Sequence, residues 1–269
     1  MDKYLIISDI DGTLAYDHQH VSAKTVAVLQ QLLDAGHEFY AATGRMYNLA
    51  KVIADQVDDR AEIIASNGAV YDFNGDRVHH LMGEHALRLT ERAAAAQNLP
   101  AVYFTDDTVY YTKTPSQSVI DTMMSFASAA ANIAIKQVHT VENLLGHVEE
   151  ITNGIIFSPH DPESLARTMM TLAASNAMHL SASDATNIEL IPKHVDKSTA
   201  IAELQAKTGT PASRTIVFGD GLNDLGMLKA AGISVAMGNA VPDVAKAARF
   251  QTLSNTEDGI AHFLENYFA

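Results

Sequence analysis

Two carboxylates stand one residue apart at the end of the first apolar run of this chain. Tyr4-Leu5-Ile6-Ile7 leads through Ser8 to Asp9 and Asp11, and Gly12 and Thr13 follow at once. An unpaired buried carboxylate is costly, and two side by side are tolerated where a divalent cation neutralises them. Magnesium suits such oxygen-only ligands and keeps several waters. Residues two apart on an extended segment point the same way, so both side chains could face one reacting group. Gly12 permits an unusual turn, and Thr13 can donate to an anionic oxygen. The plainer reading is a strand end with solvated acids. A second cluster, Val217 to Leu228 (VFGDGLNDLGML), sets Asp220 between two glycines just past another apolar run, with Asn223 and Asp224 three and four residues on. Taken alone, it would be an ordinary turn with a helix cap. Two clusters, each at the C-terminal end of an apolar run, favour a shared site.

Two further segments could handle an anion. Thr43-Gly44-Arg45 offers a hydroxyl and free backbone N–H groups at a helix start, a natural phosphate site, or else a plain N-cap. Lys197 opens another helix and could offset phosphate charge, although most lysines are solvated. Arg45 could touch a substrate or lie on the surface, and Asn67 stands at a third strand end. The remaining candidates read as structural. His18-Gln19-His20 and His79-His80 lack a partner cluster at ligand spacing and read as surface loops. Met123-Met124 and Met169-Met170 read as helix packing. Tyr103, Tyr110 and Tyr111 read as sheet packing rather than a substrate pocket. Ser22 and Ser198 have no histidine–acid pattern behind them, which speaks against a serine hydrolase.

The elements that must position these residues follow from periodicity. Apolar runs at Tyr4–Ser8, Glu38–Ala42, Ile63–Ser66, Thr215–Phe218 and Ile233–Met237 predict buried strands. Helical patterns lie between several of them, at Ser22–Ala35, Met46–Gln56, Lys197–Thr208 and Asp224–Ala231. Alternation of this kind predicts an α/β domain, a doubly wound parallel sheet with ligands bound beyond the carboxyl ends of its strands. Asp9, Asp11, Thr43, Asn67, Asp220 and Asn223 all fall at such ends and should converge. The middle of the chain mixes helices (Glu84–Gln97, Pro115–Ala130, Pro162–Ser175) with short strands (Ala101–Phe104, Thr108–Thr112, Gly154–Ser158, Ala177–Ser181, Asn187–Ile191). This predicts an inserted α+β module with a mostly antiparallel sheet. Residues 81–191 are assigned to it, and 1–80 with 192–269 to the core.

The chain has 269 residues, a formal net charge of −14 and no cysteine. That charge repels nucleic acid and anionic membranes, and the missing cysteines exclude disulfides and thiolate chemistry. No membrane-length apolar run or leader pattern is present, so a cytoplasmic protein is expected. An anionic substrate needs a local cation to overcome the global charge.

Together these residues resemble the haloacid dehalogenase superfamily of phosphohydrolases. DIDGTL (Asp9 to Leu14) is similar to its first motif, Thr43 to the second, Lys197 to the third and GDGLNDLGML (Gly219 to Leu228) to the fourth. SNGA (Ser66 to Ala69), MGNA (Met237 to Ala240) and TEDGIAHFL (Thr256 to Leu264) resemble its Cof-like subfamily, whose large α/β cap matches the insertion by position, length and pattern. Ser198 stands where that family commonly has glycine. The resemblance implies Asp9 as nucleophile forming an aspartyl-phosphate and Asp11 as acid/base. It implies Mg2+ held by Asp9, the Asp11 carbonyl and Asp220, with Asp224 assisting. Thr43, Gly44, Asn223 and Lys197 would bind the phosphoryl group, and Arg45 and Asn67 become possible substrate contacts. The implied function is a magnesium-dependent phosphatase of small phosphorylated metabolites, with sugar phosphates expected. Alternatives are a phosphatase of pyridoxal phosphate or flavin mononucleotide, a sugar phosphomutase, a phosphoacceptor receiver and a non-catalytic metal-binding module. No nucleic-acid or membrane partner is expected, and the chain is expected to be a monomer or weak homo-oligomer.

Overall fold

The computed structural model describes residues 2–117, 120, 131–182 and 185–269. Its N-terminal part alternates as the periodicity predicts: β1 (Leu5–Asp9), α1 (Ala23–Asp34), β2 (Glu38–Ala42), α2 (Tyr47–Ala54) and β3 (Glu62–Ala65). Ser22 caps α1, its hydroxyl accepting from the Thr25 N–H at 3.1 Å. A hairpin follows, β4 (Val70–Phe73) and β5 (Asp76–His79). Next come α3 (Gly83–Ala96), β6 (Ala101–Phe104), β7 (Thr108–Tyr111), β8 (Ala134–Gln137), α4 (Val141–Leu145) and β9 (Asn153–Phe157). Then α5 (Pro162–Ser175), β10 (Met178–Ser181) and β11 (Asn187–Pro192) complete the middle. The chain ends with α6 (Lys197–Thr208), β12 (Thr215–Gly219), α7 (Leu225–Ala230), β13 (Ile233–Ala236), α8 (Pro242–Ala247), β14 (Phe250–Gln251) and α9 (Gly259–Tyr267).

Among the described residues the strands form two sheets, and the chain segment of one lies inside that of the other. The first runs β14-β13-β12-β1-β2-β3-β4-β5 and the second β10-β11-β9-β6-β7-β8. Strands β14 to β3 are parallel. Side-chain alternation explains the helices on both faces. Ile6, Phe39, Ile216 and Phe218 join the core under α1, α2 and α9. Leu5, Ile7, Tyr40 and Val217 point the other way, against Ala200, Ile201 and Leu204 of α6 and Met227 and Leu228 of α7. Burial on both faces is why these strands read as continuous apolar runs. Phe218 is fully buried, and its truncation to alanine would cost about 3–5 kcal/mol.

The sheet is longer than expected by its antiparallel end, β3-β4-β5. The signal for that hairpin is Asn74-Gly75, both at positive φ, the pair that two-residue hairpin turns favour. The third predicted strand also ends one residue early: Ser66–Gly68 turns instead, with Asn67 at φ 54°. In the second sheet β6 and β7 pair antiparallel across the predicted hairpin, whereas β8, which the pattern does not reveal, pairs parallel with β7. Tyr103 and Tyr110 pack beneath α3 and α5 as expected. Tyr111 lies on the opposite face, with Val102 and Val109 against Met46. Of the methionine pair on α5, Met169 packs on the core but Met170 is exposed. A helix ridge offers only one of two consecutive residues to its neighbour, so the packing expectation is corrected for Met170. The predicted helix over Pro115–Ala130 lies largely outside the described residues, and Met123-Met124 entirely so. No helix of the described residues is long and apolar enough to cross a membrane.

Helix α6, which begins with Lys197, is held by a capping box. The Asp196 carboxylate accepts from the Thr199 N–H at 2.8 Å, and the Thr199 hydroxyl accepts from the Asp196 N–H at 3.0 Å. Asp196→Ala is expected to lower stability by about 1 kcal/mol, and thermal unfolding would show it as a loss of a few degrees.

Candidate active site

The strand order explains how distant residues meet. β1 sits between β12 and β2, with Ser8 opposite Phe218 and Asp9 opposite Ala42. The segments following these parallel strands therefore leave along one edge, where the connections diverge to either side. Asp9 closes β1, Thr43 follows β2, and Asp220 follows β12.

Lys197 is the centre of the cluster. It is 2% exposed, yet its Nζ donates to Asp9 Oδ1 at 2.5 Å and to Asp224 Oδ1 at 2.8 Å. Asp224 Oδ2 accepts from the N–H groups of Asp220 and Gly221 at 3.0 and 3.1 Å, which fixes the turn after β12. Asp220 Oδ1 accepts from the Thr13 hydroxyl at 2.8 Å. Gly12 is at φ 81°, and a Cβ there would collide with the Asp220 carboxylate. That close approach requires glycine. Asp9, Asp220 and Asp224 each offer an oxygen, all within 4.8 Å of one another. Fully ionised, the three carboxylates beside one ammonium would leave two negative charges. An oxygen-only donor set of that charge fits Mg2+.

Beyond the cluster, the Thr43 hydroxyl accepts from the Arg45 N–H at 3.1 Å. Gly44 faces the Asn67 side chain closely enough that a Cβ would stand 3.2 Å from its amide. Asn67 is buried and donates to Glu189 Oε2 of the second sheet at 2.9 Å. Asn223 and Lys197 line a cleft of about 210 Å³ between the sheets, with His179 and Ser181 on the other side.

The chain was compared with known proteins. Residues 6–264 match the model of the haloacid dehalogenase-like hydrolase family. The chain belongs to that family. It is 29% identical over 274 residues to the 5-amino-6-(5-phospho-D-ribitylamino)uracil phosphatase YitU of Bacillus subtilis, covering 99% of this chain and 98% of the relative. A haloacid dehalogenase-like hydrolase structure from B. subtilis superposes with a TM-score of 0.82 at 27% identity, covering 97% and 99% of the two chains. A subclass IIB sugar phosphatase of the superfamily shares the fold at 22% identity, with a TM-score of 0.81 and 99% coverage of both chains. This family member is a phosphatase-type enzyme, as its motifs implied.

One motif residue of the family member stands differently from the expectation. β1 ends at Asp9, and Asp11 does not continue the strand face. The Asp11 carboxylate is not one of the three that share the ion-sized space, although its charge still acts on Asp9 and Asp220. Arg45 grips it with both Nε, at 2.9 Å, and Nη2. His18 Nδ1 lies 2.8 Å from the same group. His18 is an exposed loop residue, as expected, and a carboxylate seven residues upstream pairs with it. His20, His79 and His80 pair instead with Asp17, Asp106 and Glu203. Asn239 was not singled out by motif chemistry, yet its amide donates to the Gly12 carbonyl at 2.8 Å and to Asp220 Oδ2 at 3.4 Å. Its only sequence signal is the MGNA stretch.

The electrostatics separate the four acids. Burial, with Asp224 beside it, pushes the Asp9 carboxyl well above its ordinary range against the pull of Lys197. Burial opposes the charge on Lys197 as well, but Asp224 and Asp9 more than offset it and raise Lys197 above its ordinary value. Burial also acts to raise Asp11, yet its bonds with Arg45 and His18 bring it below the usual carboxylate range. The Arg45 grip thus favours the deprotonated form of Asp11. Burial pushes Asp220 up to about 6, with the Thr13 bond opposing.

The last shift gives a test. Asp220 has a folded value above its ordinary 3.8, so its stabilising contribution is complete below 3.8 and lost as pH rises through about 6. A cation competes with the proton for that carboxylate. Mg2+ is therefore expected to raise the Tm of the protein far more well above pH 6 than well below it. A Mg2+ shift in Tm that is independent of pH would contradict Asp220 as a ligand.

Proposed function

We propose that this phosphatase hydrolyses phosphate monoesters of small metabolites, sugar phosphates among them, through a phosphoryl group carried on Asp9. The observation that carries the reading is the buried Lys197 bonded to both Asp9 and Asp224, which with Asp220 bring three carboxylate oxygens within 4.8 Å of one another. It supports a nucleophilic carboxylate held ready for an anionic substrate on a chain whose net charge would otherwise repel it. The relatives agree in kind: YitU is named for a phosphorylated ribitylamino compound.

Asp9, Asp220 and Asp224 would hold Mg2+, together with the Asp11 carbonyl, and the ion would neutralise charge on the phosphoryl oxygens. Lys197 orients Asp9 and pulls its carboxyl toward the ionised form against the effect of burial. The Thr43 hydroxyl, the Gly44 N–H and the Asn223 amide receive the phosphoryl oxygens. A carboxylate oxygen of Asp9 attacks phosphorus while the ester P–O bond breaks. Asp11 gives its proton to the departing alcohol oxygen. Asp11, now a carboxylate, takes a proton from water, whose oxygen attacks phosphorus and releases phosphate and free Asp9. The Arg45 grip stabilises the second of these two states of Asp11. Residues 81–191 form a cap over this centre and exclude bulk water from it. We place the protein in the cytoplasm, acting as a monomer or weak homo-oligomer.

Asp9→Asn is expected to abolish Mg2+-dependent phosphate release from a panel of phosphomonoesters and to leave the circular dichroism spectrum unchanged. Substantial residual turnover would remove Asp9 as nucleophile. Asp220→Ala is expected to raise the Mg2+ concentration for half-maximal activity by at least about tenfold, and an unchanged Mg2+ dependence would refute the ligand role.

A further inference from the structure

The MGNA stretch supplies none of the hydrolytic residues, yet the fold carries it to them. Met237 to Ala240 form a turn after β13, closed by the Ala240 N–H on the Met237 carbonyl at 3.0 Å. Its backbone is pinned on two sides. The Met237 N–H donates to the Gly219 carbonyl at 3.1 Å, and the Val241 N–H to the Asp220 carbonyl at 3.0 Å. On the other side the Gly238 N–H donates to the Leu253 carbonyl at 3.0 Å, and a Cβ on Gly238 would collide with the Ser254 backbone. The turn therefore stands between the end of β12 and the segment after β14. Asn239 is one of its two central residues.

Asn239 is exposed, and water alone would satisfy an exposed amide. This one is instead held at both ends. Its Oδ1 accepts from the Asn255 N–H at 3.1 Å. A backbone N–H can only donate, so this bond settles which end of the amide is oxygen. Nδ2 then faces the Gly12 carbonyl at 2.8 Å and Asp220 Oδ2 at 3.4 Å, and its two hydrogens suffice for both. Asn255 is anchored in turn, its amide donating to the Ala15 carbonyl at 3.0 Å. The pair thus braces the loop after β1 at two points. Asp220 Oδ1 takes the Thr13 hydroxyl, so each oxygen of that carboxylate has a donor from a different loop. A carboxylate has about four acceptor positions, which leaves one free on each oxygen. Both donors are neutral. They fix the carboxylate without opposing a cation by charge, whereas the Lys197 ammonium bonds to Asp9 and Asp224.

We propose that Asn239 positions Asp220 for a small divalent cation, fixing the carboxylate together with Thr13 before any ion arrives, and that Asn255 holds Asn239 in place. This rests on Asp220 as an ion ligand and deepens that reading. Asn239 is a positioning residue, acting through Asp220 and the Gly12 carbonyl. Such preorganisation matters unequally to different ions. Mg2+ demands near-octahedral ligands at about 2.0–2.1 Å, whereas Ca2+ accepts irregular sets at about 2.3–2.6 Å. A carboxylate released to rotate therefore weakens Mg2+ binding more than Ca2+ binding.

The test is thermal unfolding of the substrate-free protein across titrations with Mg2+ and, separately, Ca2+, for the wild type, Asn239→Ala and Asn239→Leu. The ion-free Tm reports that each variant folds, and the rise of Tm with ion concentration gives a dissociation constant. Leucine keeps much of the bulk of asparagine but donates nothing. Both variants are expected to bind Mg2+ at least about tenfold more weakly and to lose clearly less affinity for Ca2+, so that the preference for Mg2+ falls. A merely structural role would lower the ion-free Tm and leave that preference alone. Unchanged Mg2+ affinity in both variants, equal losses for the two ions, or a leucine variant that keeps wild-type affinity would each overturn the inference while leaving Asp220 as a ligand. A folded wild type whose Tm responds to neither ion would overturn the metal reading itself, and the inference with it.

Discussion

The ammonium of Lys197, buried between Asp9 and Asp224, is the contact on which the rest of this structure depends. Burying an ion is costly, and removing one partner of a buried pair leaves an uncompensated charge, typically a loss of 3–5 kcal/mol. The fold must therefore bring three chain segments to one point and hold them there. The middle of a parallel sheet does so: β1 and β12 are adjacent, and α6 lies against them through Ala200, Ile201 and Leu204. The capping box at Asp196 sets where α6 starts, and thus where Lys197 begins its reach. Even so, the charges do not balance, since Asp220 adds a third carboxylate. That surplus negative charge is the physical demand that a divalent cation would meet.

A second constraint joins the two sheets. Gly68, at φ 95°, lies so close to the Asp196 carbonyl that any Cβ would collide with it. Next to it Asn67 adopts a left-handed conformation and turns its amide to Glu189. The same short turn thus packs against the start of the lysine helix and contacts the inserted sheet. The apolar half of the interface, around Met46, Val102 and Val109, supplies burial without direction. The polar half adds direction, through the bond from Asn67 to Glu189.

Much of this was legible in the order of residues. Every strand that carries a core motif residue was marked by an apolar run ending in a polar or glycine-rich turn, because strands buried on both faces disfavour charged residues until they emerge. Asp9 and Asp220 were marked as charges at the ends of apolar runs, and Asp224 and Lys197 as charges at helix starts. The β4–β5 hairpin and β8 were less legible. They lie toward sheet edges, where one face is solvated and burial imposes no continuous apolar pattern: Asp76, Arg77 and His79 are exposed, and three residues of β8 are as well.

The sequence by itself determined the α/β class, the placing of one sheet's segment within the other's and the side-chain types available at the strand ends, since these follow from local periodicity and side-chain type. Tertiary structure alone decided which groups touch. Spacing put Asp9 and Asp11 on one face, yet β1 ends at Asp9, and Asp11 turns to Arg45 and His18. The pairing of Asn67 with Glu189, 122 residues apart, has no local signature. Hydrogen bonds and ion pairs depend on distance in space, and a linear pattern carries no record of the distance between segments that the sheet brings together.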